Sequence, residues 1–181
     1  FALAQNLIGL GKKVLLVEGD IRRLVFSQYL NVTDAKGLQS VLNGDVALSD
    51  AVIYDKILGA DILVSEPSTE NAVDTLSSQR FLTFLEATRE AYDFVIIDTT
   101  PVLVVSDARV VAQHVDAVLF TVQWDKTSKT QVHDALQMFE SVNITVNGLV
   151  LNQIDPKGMK RYGYGNSYGA YGSYATKYYK N

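Results

Sequence analysis

Short apolar runs alternate with helical stretches along most of this chain, and that alternation limits the possible folds more than any other feature. A short apolar run between turns is typical of a strand buried on both faces, whereas apolar residues at helical spacing indicate a helix. The predicted strands cover residues 14–17, 62–64, 94–97, 118–122 and 149–151. The predicted helices cover residues 1–10, 79–92, 106–114 and 127–142. This order predicts an α/β fold in which a mostly parallel sheet is sandwiched by helices.

Two stretches follow this alternation less closely. Residues 24–60 contain only a short predicted helix at 38–42, closed by Asn43-Gly44, and we expect them to cross the edge of the sheet. The helix at 1–10 has no capping residue before it, and Phe1 is not a methionine. We therefore expect the chain to be truncated at its N-terminus, as the later part of a longer protein.

The end of the chain has a different composition from the rest. Seven of the ten tyrosines fall in the last twenty residues, interleaved with glycine: Tyr162, Tyr164, Tyr168, Tyr171, Tyr174, Tyr178 and Tyr179. No Leu, Ile, Val, Met or Phe follows Tyr162, so these rings have no apolar partners with which to form a core. The sequence therefore predicts one domain at 1–155 and a disordered, solvated tail at 156–181. A tail rich in phenols suits either adhesion by stacking or repeated covalent modification.

Charge is distributed unevenly between these two parts. The formal net charge is -4, yet no Asp or Glu follows Pro156, and the tail is basic through Lys157, Lys160, Arg161, Lys177 and Lys180. Such a tail could bind nucleic acid, an acidic neighbour or an anionic membrane surface. Cysteine is absent, which excludes disulfides and thiolate metal sites and fits a reducing compartment.

Carboxylates follow two of the predicted strands. Glu18 and Asp20 come after the strand at 14–17, and Asp98 follows the strand at 94–97. Acidic residues often end strands merely as turn formers, but ligands of open parallel sheets bind at this same edge. Two such segments together indicate a site for Mg²⁺ and nucleotide phosphates.

These segments resemble the motifs of a known family, the bacterial tyrosine kinases that regulate capsule and exopolysaccharide export (BY-kinases). Residues 14–23 resemble the family's second Walker-type motif. Residues 95–107 resemble its Walker B segment, including the Ser106-Asp107-Ala108 ending, and residues 71–81 resemble a conserved linking stretch. Further matches are Lys126-Thr127, Leu151-Asn152 and the tyrosine-rich tail.

The resemblance implies an ATP-dependent autokinase on a deviant P-loop NTPase fold. Glu18, Asp20 and Asp98 would be the catalytic residues. Asp20 and Asp98 would organise Mg²⁺, and Glu18 would stand near the place of a proposed base for the tyrosine hydroxyl. Asn152 would contact the adenine, and Arg22 is a candidate for contact with the nucleotide. The seven tail tyrosines would be the phosphate acceptors.

The same resemblance implies partners and a location. The partners would be neighbouring subunits in a ring-like homo-oligomer, a transmembrane and periplasmic co-polymerase region of the full-length chain, and a tyrosine phosphatase. Nucleic acid is not expected as a partner. The chain would be the cytoplasmic domain of an inner-membrane protein.

Several residues depart from the family pattern. Glu18 replaces an aspartate, Thr100 replaces the first of two prolines, and Leu24 replaces a proline after the arginines. The phosphate-binding loop would lie upstream of Phe1, so we expect this chain alone to bind ATP poorly and to be inactive. Two other functions fit the residues: a deviant P-loop ATPase of the partitioning or division-site type, against which the tail argues, and a catalytically degenerate scaffold.

Overall fold

The computed structural model describes residues 1–155 and Gly158, so the seven tail tyrosines lie outside the described residues. The strands are β1 (Val14–Glu18), β2 (Ile53–Asp55), β3 (Ala60–Leu63), β4 (Phe94–Asp98), β5 (Leu119–Gln123) and β6 (Gly148–Asn152). The helices are α1 (Ala2–Gly9), α2 (Val25–Leu30), α3 (Leu38–Asn43), α4 (Leu48–Ala51), α5 (Ala72–Leu76), α6 (Gln79–Ala91), α7 (Asp107–Ala112) and α8 (Lys129–Glu140). None of these helices has both the length and the apolar character needed to cross a bilayer.

The chain divides into two compact units, Phe1–Asp116 and Ala117–Asn181. The first unit contains a four-stranded sheet in the order β2-β3-β1-β4. Strand β1 pairs in parallel with both β3 and β4, while β2 runs antiparallel to β3 at the edge. The prediction of a mostly parallel sheet is confirmed. The proposed division into a 1–155 domain and a tail stays a prediction.

The irregular stretch at 24–60 holds more structure than its sequence pattern indicates. It contains α2, α3, α4 and the edge strand β2, of which only α3 was predicted. Helix α3 ends where expected, because Gly44 adopts the left-handed conformation, with φ of 78°, that closes a helix. Strand β2 has only three residues, too few for a periodic pattern to reveal it.

Strand β1 forms the centre of the first unit. All five of its residues are buried, as expected for a strand covered on both faces. Leu15 and Val17 pack into a cluster formed with α3, α5, α6 and α7, where Phe81 is fully buried. Val14 and Leu16 point to the opposite face, into a cluster formed with α1 and α2.

The second unit is smaller and less completely buried. Strands β5 and β6 pair in parallel, and α8 begins with a capping box in which Ser128 and Gln131 exchange hydrogen bonds. Its buried apolar side chains include Ala135 and Phe139 of α8. The expectation that the strands at 118–122 and 149–151 are buried on both faces is wrong, since Leu119 and all three apolar residues of the second strand are exposed. Two strands and one helix supply too little apolar surface to cover every strand residue. The same expectation is wrong for the strand at 94–97 of the first unit, where Phe94 is exposed and the next three residues are only partly buried.

Phe81→Ala should lower the free energy of unfolding by about 3–5 kcal/mol, because it leaves a cavity in the cluster on one face of β1. Urea denaturation followed by circular dichroism measures this loss. Glu86→Ala, at an exposed position on the same helix, is the control and should change stability by less than about 0.5 kcal/mol. A loss at Phe81 no larger than that of the control would contradict the assigned core.

Candidate functional site

The ends of β1 and β4 bring the predicted acidic residues to one edge of the sheet. Glu18 is the register partner of Asp98, and the amide of Gly19 donates to the carbonyl of Asp98 over 2.7 Å. A Cβ at Gly19 would lie 2.7 Å from that same carbonyl oxygen and 2.8 Å from Cγ2 of Ile97. Only glycine therefore permits this close approach, which brings Asp20 beside Asp98.

The carboxylates of Asp20 and Asp98 form an electrostatically unfavourable pair. Loss of hydration raises the pKa of Asp98, and the charge of Asp20 raises it further. The Oδ1 atom of Asp20 accepts hydrogen bonds from the amides of Arg22 and Arg23, each over 3.2 Å. The backbone thus orients Asp20 while its repulsion with Asp98 persists.

This pair suits a hard cation that is also bound by a ligand. Within residues 1–155 and Gly158, no three or more acidic or histidine side chains are grouped so as to hold a metal by themselves. Mg²⁺ in nucleotide sites typically uses one or two carboxylates together with water and phosphate oxygens. Asp20 and Asp98 supply that number of protein ligands, so the donor set fits Mg²⁺ bound together with a nucleotide.

Glu18 is buried, and its carboxylate accepts hydrogen bonds from the backbone. Its carboxylate accepts hydrogen bonds from the amide of Phe26 over 2.7 Å and the amide of Ser65 over 2.9 Å. The hydroxyl of Ser65 donates to the carbonyl of Glu18 over 2.6 Å. Burial raises the pKa of Glu18, the backbone hydrogen bonds oppose that rise, and the charge of Asp98 adds to it. The side chain thus joins β1, the start of α2 and the segment just after β3. Its catalytic role stays a prediction.

Arg22 contacts another motif residue. Its Nε and Nη2 atoms donate to the two carboxylate oxygens of Asp107 over 2.9 and 3.2 Å. The Asp107 side chain is 1% exposed and the Arg22 side chain 47% exposed, so the pair lies at the boundary of the core. This fork links the segment after β1 to the start of α7. Contact between Arg22 and a nucleotide stays a prediction.

The structure shows the conformation or surroundings of two residues that depart from the family pattern, Leu24 and Thr100. Leu24 adopts φ of 50° at the start of α2, a value that the ring of proline excludes. The hydroxyl of Thr100 is buried and, among the described residues, has no hydrogen-bond partner.

Asn152, predicted to contact the adenine, lies at the end of β6 in the second unit. Its carbonyl accepts from the amide of Trp124 over 2.9 Å, and its Oδ1 accepts from the amide of Gln153 over 2.8 Å. The adenine contact stays a prediction. The phosphate acceptors predicted in the tail lie outside the described residues.

Sequence reasoning missed the partners that hold these side chains in place. Ser65 lies 47 positions from Glu18, and Asp107 lies 85 positions from Arg22. Nothing in the local sequence links them, because these contacts form only when β3 and α7 fold against β1. The Ser106-Asp107-Ala108 match marked Asp107 without indicating its partner.

The chain is similar in sequence to known proteins. Residues 1–151 match a family described as an AAA domain. The tyrosine-protein kinase CpsD of Streptococcus pneumoniae is 30% identical over 176 residues, covering 97% of this chain and 76% of that protein. The tyrosine-protein kinase ptk of Acinetobacter johnsonii is 34% identical over 152 residues, covering 84% of this chain. The chain spans only 21% of the length of that relative.

The chain is also similar in three-dimensional structure to solved proteins. The kinase domain of VpsO superimposes with a TM-score of 0.78 at 30% identity, covering 84% of this chain and 75% of that one. The septum site-determining protein MinD of Pyrococcus horikoshii, solved with Mg-ADP, gives a TM-score of 0.62 at 22% identity. The superposition covers 82% of this chain and 61% of the MinD chain. At 22% identity, this likeness shows a shared fold alone. The predicted deviant P-loop fold is thereby confirmed.

Gly19→Ala should lower the free energy of unfolding by about 1–3 kcal/mol, because the added methyl group collides with the backbone at Asp98. Urea denaturation measures the loss. The matched control is Gly9→Ala, where an added Cβ meets nothing within 4 Å and stability should stay the same or rise by up to about 1 kcal/mol. Equal stability of the two variants would contradict the close approach of β1 and β4.

Asp98→Asn should raise the free energy of unfolding at pH 7 by no more than about 1 kcal/mol, because it removes a charge that is disfavoured by loss of hydration and by the charge of Asp20. The pKa of Asp98 in the folded chain lies above its ordinary value of 3.8, so the wild type loses stability as pH rises through the interval above 3.8. The advantage of the variant should therefore shrink as pH falls toward 3.8.

Urea denaturation at several pH values tests this, with Asp134→Asn at an exposed position of α8 as the control. A stability gain at Asp98 that does not change with pH would refute the electrostatic explanation.

Proposed function

This chain belongs to the family of bacterial tyrosine-protein kinases, and we propose that it is the catalytic part of an ATP-dependent tyrosine autokinase. One observation carries the proposal: Asp20 and Asp98 lie side by side at the carboxyl edge of a parallel sheet, where loss of hydration and then the charge of Asp20 raise the pKa of Asp98. Carboxylates kept together against their repulsion indicate a site that binds a cation.

Phosphoryl transfer needs positioned charge more than covalent chemistry. Asp20 and Asp98 would hold Mg²⁺, directly or through its waters, and bound Mg²⁺ would neutralise charge on the nucleotide phosphates. The tyrosine oxygen would form a bond to the terminal phosphorus as the bond from that phosphorus to ADP breaks. The guanidinium of Arg22, held by Asp107, would carry positive charge that acts on Asp20.

Glu18 is the proposed acceptor of the phenol proton. Its raised pKa favours that role, because a base with a pKa nearer neutrality binds the proton more readily. Its carboxylate accepts from the amides of Phe26, Ser65 and Val25, which leaves one of its four lone pairs for the phenol.

The acceptors in this proposal are the seven tail tyrosines of neighbouring subunits in a ring-like homo-oligomer. The other proposed partners are a transmembrane and periplasmic co-polymerase region and a tyrosine phosphatase, and the proposed role is control of exopolysaccharide or capsule polymerisation and export. The chain would work as a cytoplasmic domain at the inner membrane, with Asn152 contacting the adenine.

A non-catalytic scaffold is the second candidate. The observation that favours it is the engagement of both Glu18 oxygens by backbone amides, which is also what a purely structural carboxylate would show. The division-site ATPase alternative has support only from a likeness in fold, and a fold does not determine a function.

Incubation of the full-length protein with ATP and Mg²⁺ should yield phosphotyrosine in residues 162–179, detected by mass spectrometry. Asp98→Asn should lower the initial rate by about 100-fold or more, because it removes a carboxylate that holds the metal. Asp134→Asn is the matched control and should retain the wild-type rate. An unmodified tail in protein that demonstrably binds ATP would overturn the kinase proposal and support the scaffold.

A further inference from the structure

Asp107 is a buried carboxylate that lies too deep to touch a bound nucleotide. It is the first residue of α7, and its relative exposure is 0%. Its two oxygens accept from Nε and Nη2 of Arg22 over 2.9 and 3.2 Å. A carboxylate buried in this way is costly unless a cation pairs with it. Asp107 can therefore act on the candidate site through the guanidinium of Arg22.

Helix α7 gives this carboxylate a fixed position relative to the sheet. Val111 of α7 belongs to the buried cluster on one face of β1, together with Leu15 and Val17. Asp20 follows the same strand and is itself buried, with 7% exposure. The carboxylate that holds Arg22 and a proposed ligand of Mg²⁺ are thus parts of one packed core.

The fork leaves one edge of the guanidinium free to bind a ligand. A guanidinium has five N–H donors, and the fork uses the donor on Nε and one of the two on Nη2. The remaining donors on Nη1 and Nη2 form an adjacent edge of the same plane. Two parallel N–H groups of this kind match two oxygens of a phosphate. The Arg22 side chain is 47% exposed and that of Asp107 only 1%, so the part that solvent reaches lies away from the fork.

Arg22 also lies within electrostatic reach of the acidic pair at the sheet edge. Its backbone amide donates to Oδ1 of Asp20 over 3.2 Å. The hydrogen bonds and the charge of Asp107 raise the pKa of Arg22, and the charge of Asp20 adds to that rise. Mg²⁺ in nucleotide sites is bound by carboxylates and phosphate oxygens together. The guanidinium and the proposed metal ligands can therefore act on the same bound nucleotide.

We propose that Asp107 is a positioning residue, which holds Arg22 in the conformation that binds a phosphate group of the nucleotide. A free arginine side chain loses rotamer freedom when it binds a ligand, and that loss weakens binding. The fork with Asp107 removes the same freedom beforehand. Nucleotide affinity therefore depends on a carboxylate that the nucleotide never contacts. This inference rests on the nucleotide binding of the proposed function and deepens it.

Binding of ADP with Mg²⁺ to the full-length protein, measured by isothermal titration calorimetry, tests the role of Asp107 without any catalytic step. Asp107→Asn keeps the shape of the side chain but leaves a single oxygen to accept from Arg22. It should weaken binding about three- to tenfold, because Arg22 regains part of its freedom. Arg22→Met removes the guanidinium at similar length and should weaken binding about tenfold or more.

The double variant separates positioning from a purely structural role. If Asp107 acts through Arg22, adding Asp107→Asn to Arg22→Met should change the affinity by less than about twofold. A structural role would lower the affinity equally in both backgrounds. Arg22→Met alone leaves a buried charge unpaired, so thermal melting first checks that it folds. If it is unfolded, Arg22→Gln, whose amide can still donate to Asp107, replaces it as the background.

The pair of Arg89 and Asp116 supplies matched controls. Nη2 of Arg89 lies 2.9 Å from Oδ1 of Asp116, and the two side chains are exposed. Arg89 lies in the last turn of α6, just before β4 begins, whereas Asp98 lies at the other end of β4. Arg89→Met and Asp116→Asn should therefore bind ADP with Mg²⁺ like the wild type.

The outcomes distinguish this inference from the proposed function. Wild-type affinity in Asp107→Asn, or the same loss of affinity with and without Arg22, would overturn the positioning role while the proposed function stands. A wild-type protein that binds no ADP in the presence of Mg²⁺ would overturn both.

Discussion

The buried carboxylate of Glu18 ties together the edge of the sheet on which the candidate site is built. It accepts the amides of Phe26 and Ser65, so one side chain at the end of β1 holds the start of α2 and the segment just after β3. The hydroxyl of Ser65 returns a bond to the Glu18 carbonyl. A buried carboxylate is tolerated when hydrogen bonds satisfy its oxygens. Here the same bonds fix the positions of the segments after β1 and after β3.

The same edge keeps charges together at a cost to stability. Burial raises the pKa values of Glu18 and Asp98, the charge of Asp98 adds to that of Glu18, and the charge of Asp20 adds to that of Asp98. A fold selected for stability alone has no need of such an arrangement. Groups with perturbed pKa values cluster at functional sites, and that physical expectation agrees with the family to which the chain belongs.

The sequence predicts best those strands whose burial is visible as a continuous apolar run. Strand β1 reads as a continuous apolar run because helices cover both its faces. Strand β2 was not predicted, because three residues are too few to show the alternation of apolar and polar residues that marks a strand. It lies at the edge of the sheet and pairs only with β3. The strand at 149–151 is correctly located but more exposed than its composition indicates, because burial depends on how much apolar surface its own unit supplies.

The sequence by itself determined the order of strands and helices, the position of acidic residues at strand ends and the basic, tyrosine-rich composition of the tail, because all of these are properties of neighbouring residues. The tertiary structure decided which groups meet. Glu18 reaches Ser65, Arg22 reaches Asp107, and Gln39 reaches Glu66 across 47, 85 and 27 positions, respectively. Such pairings depend on strand register and helix packing, which bring together distant segments. The local sequence of one segment does not indicate its partner.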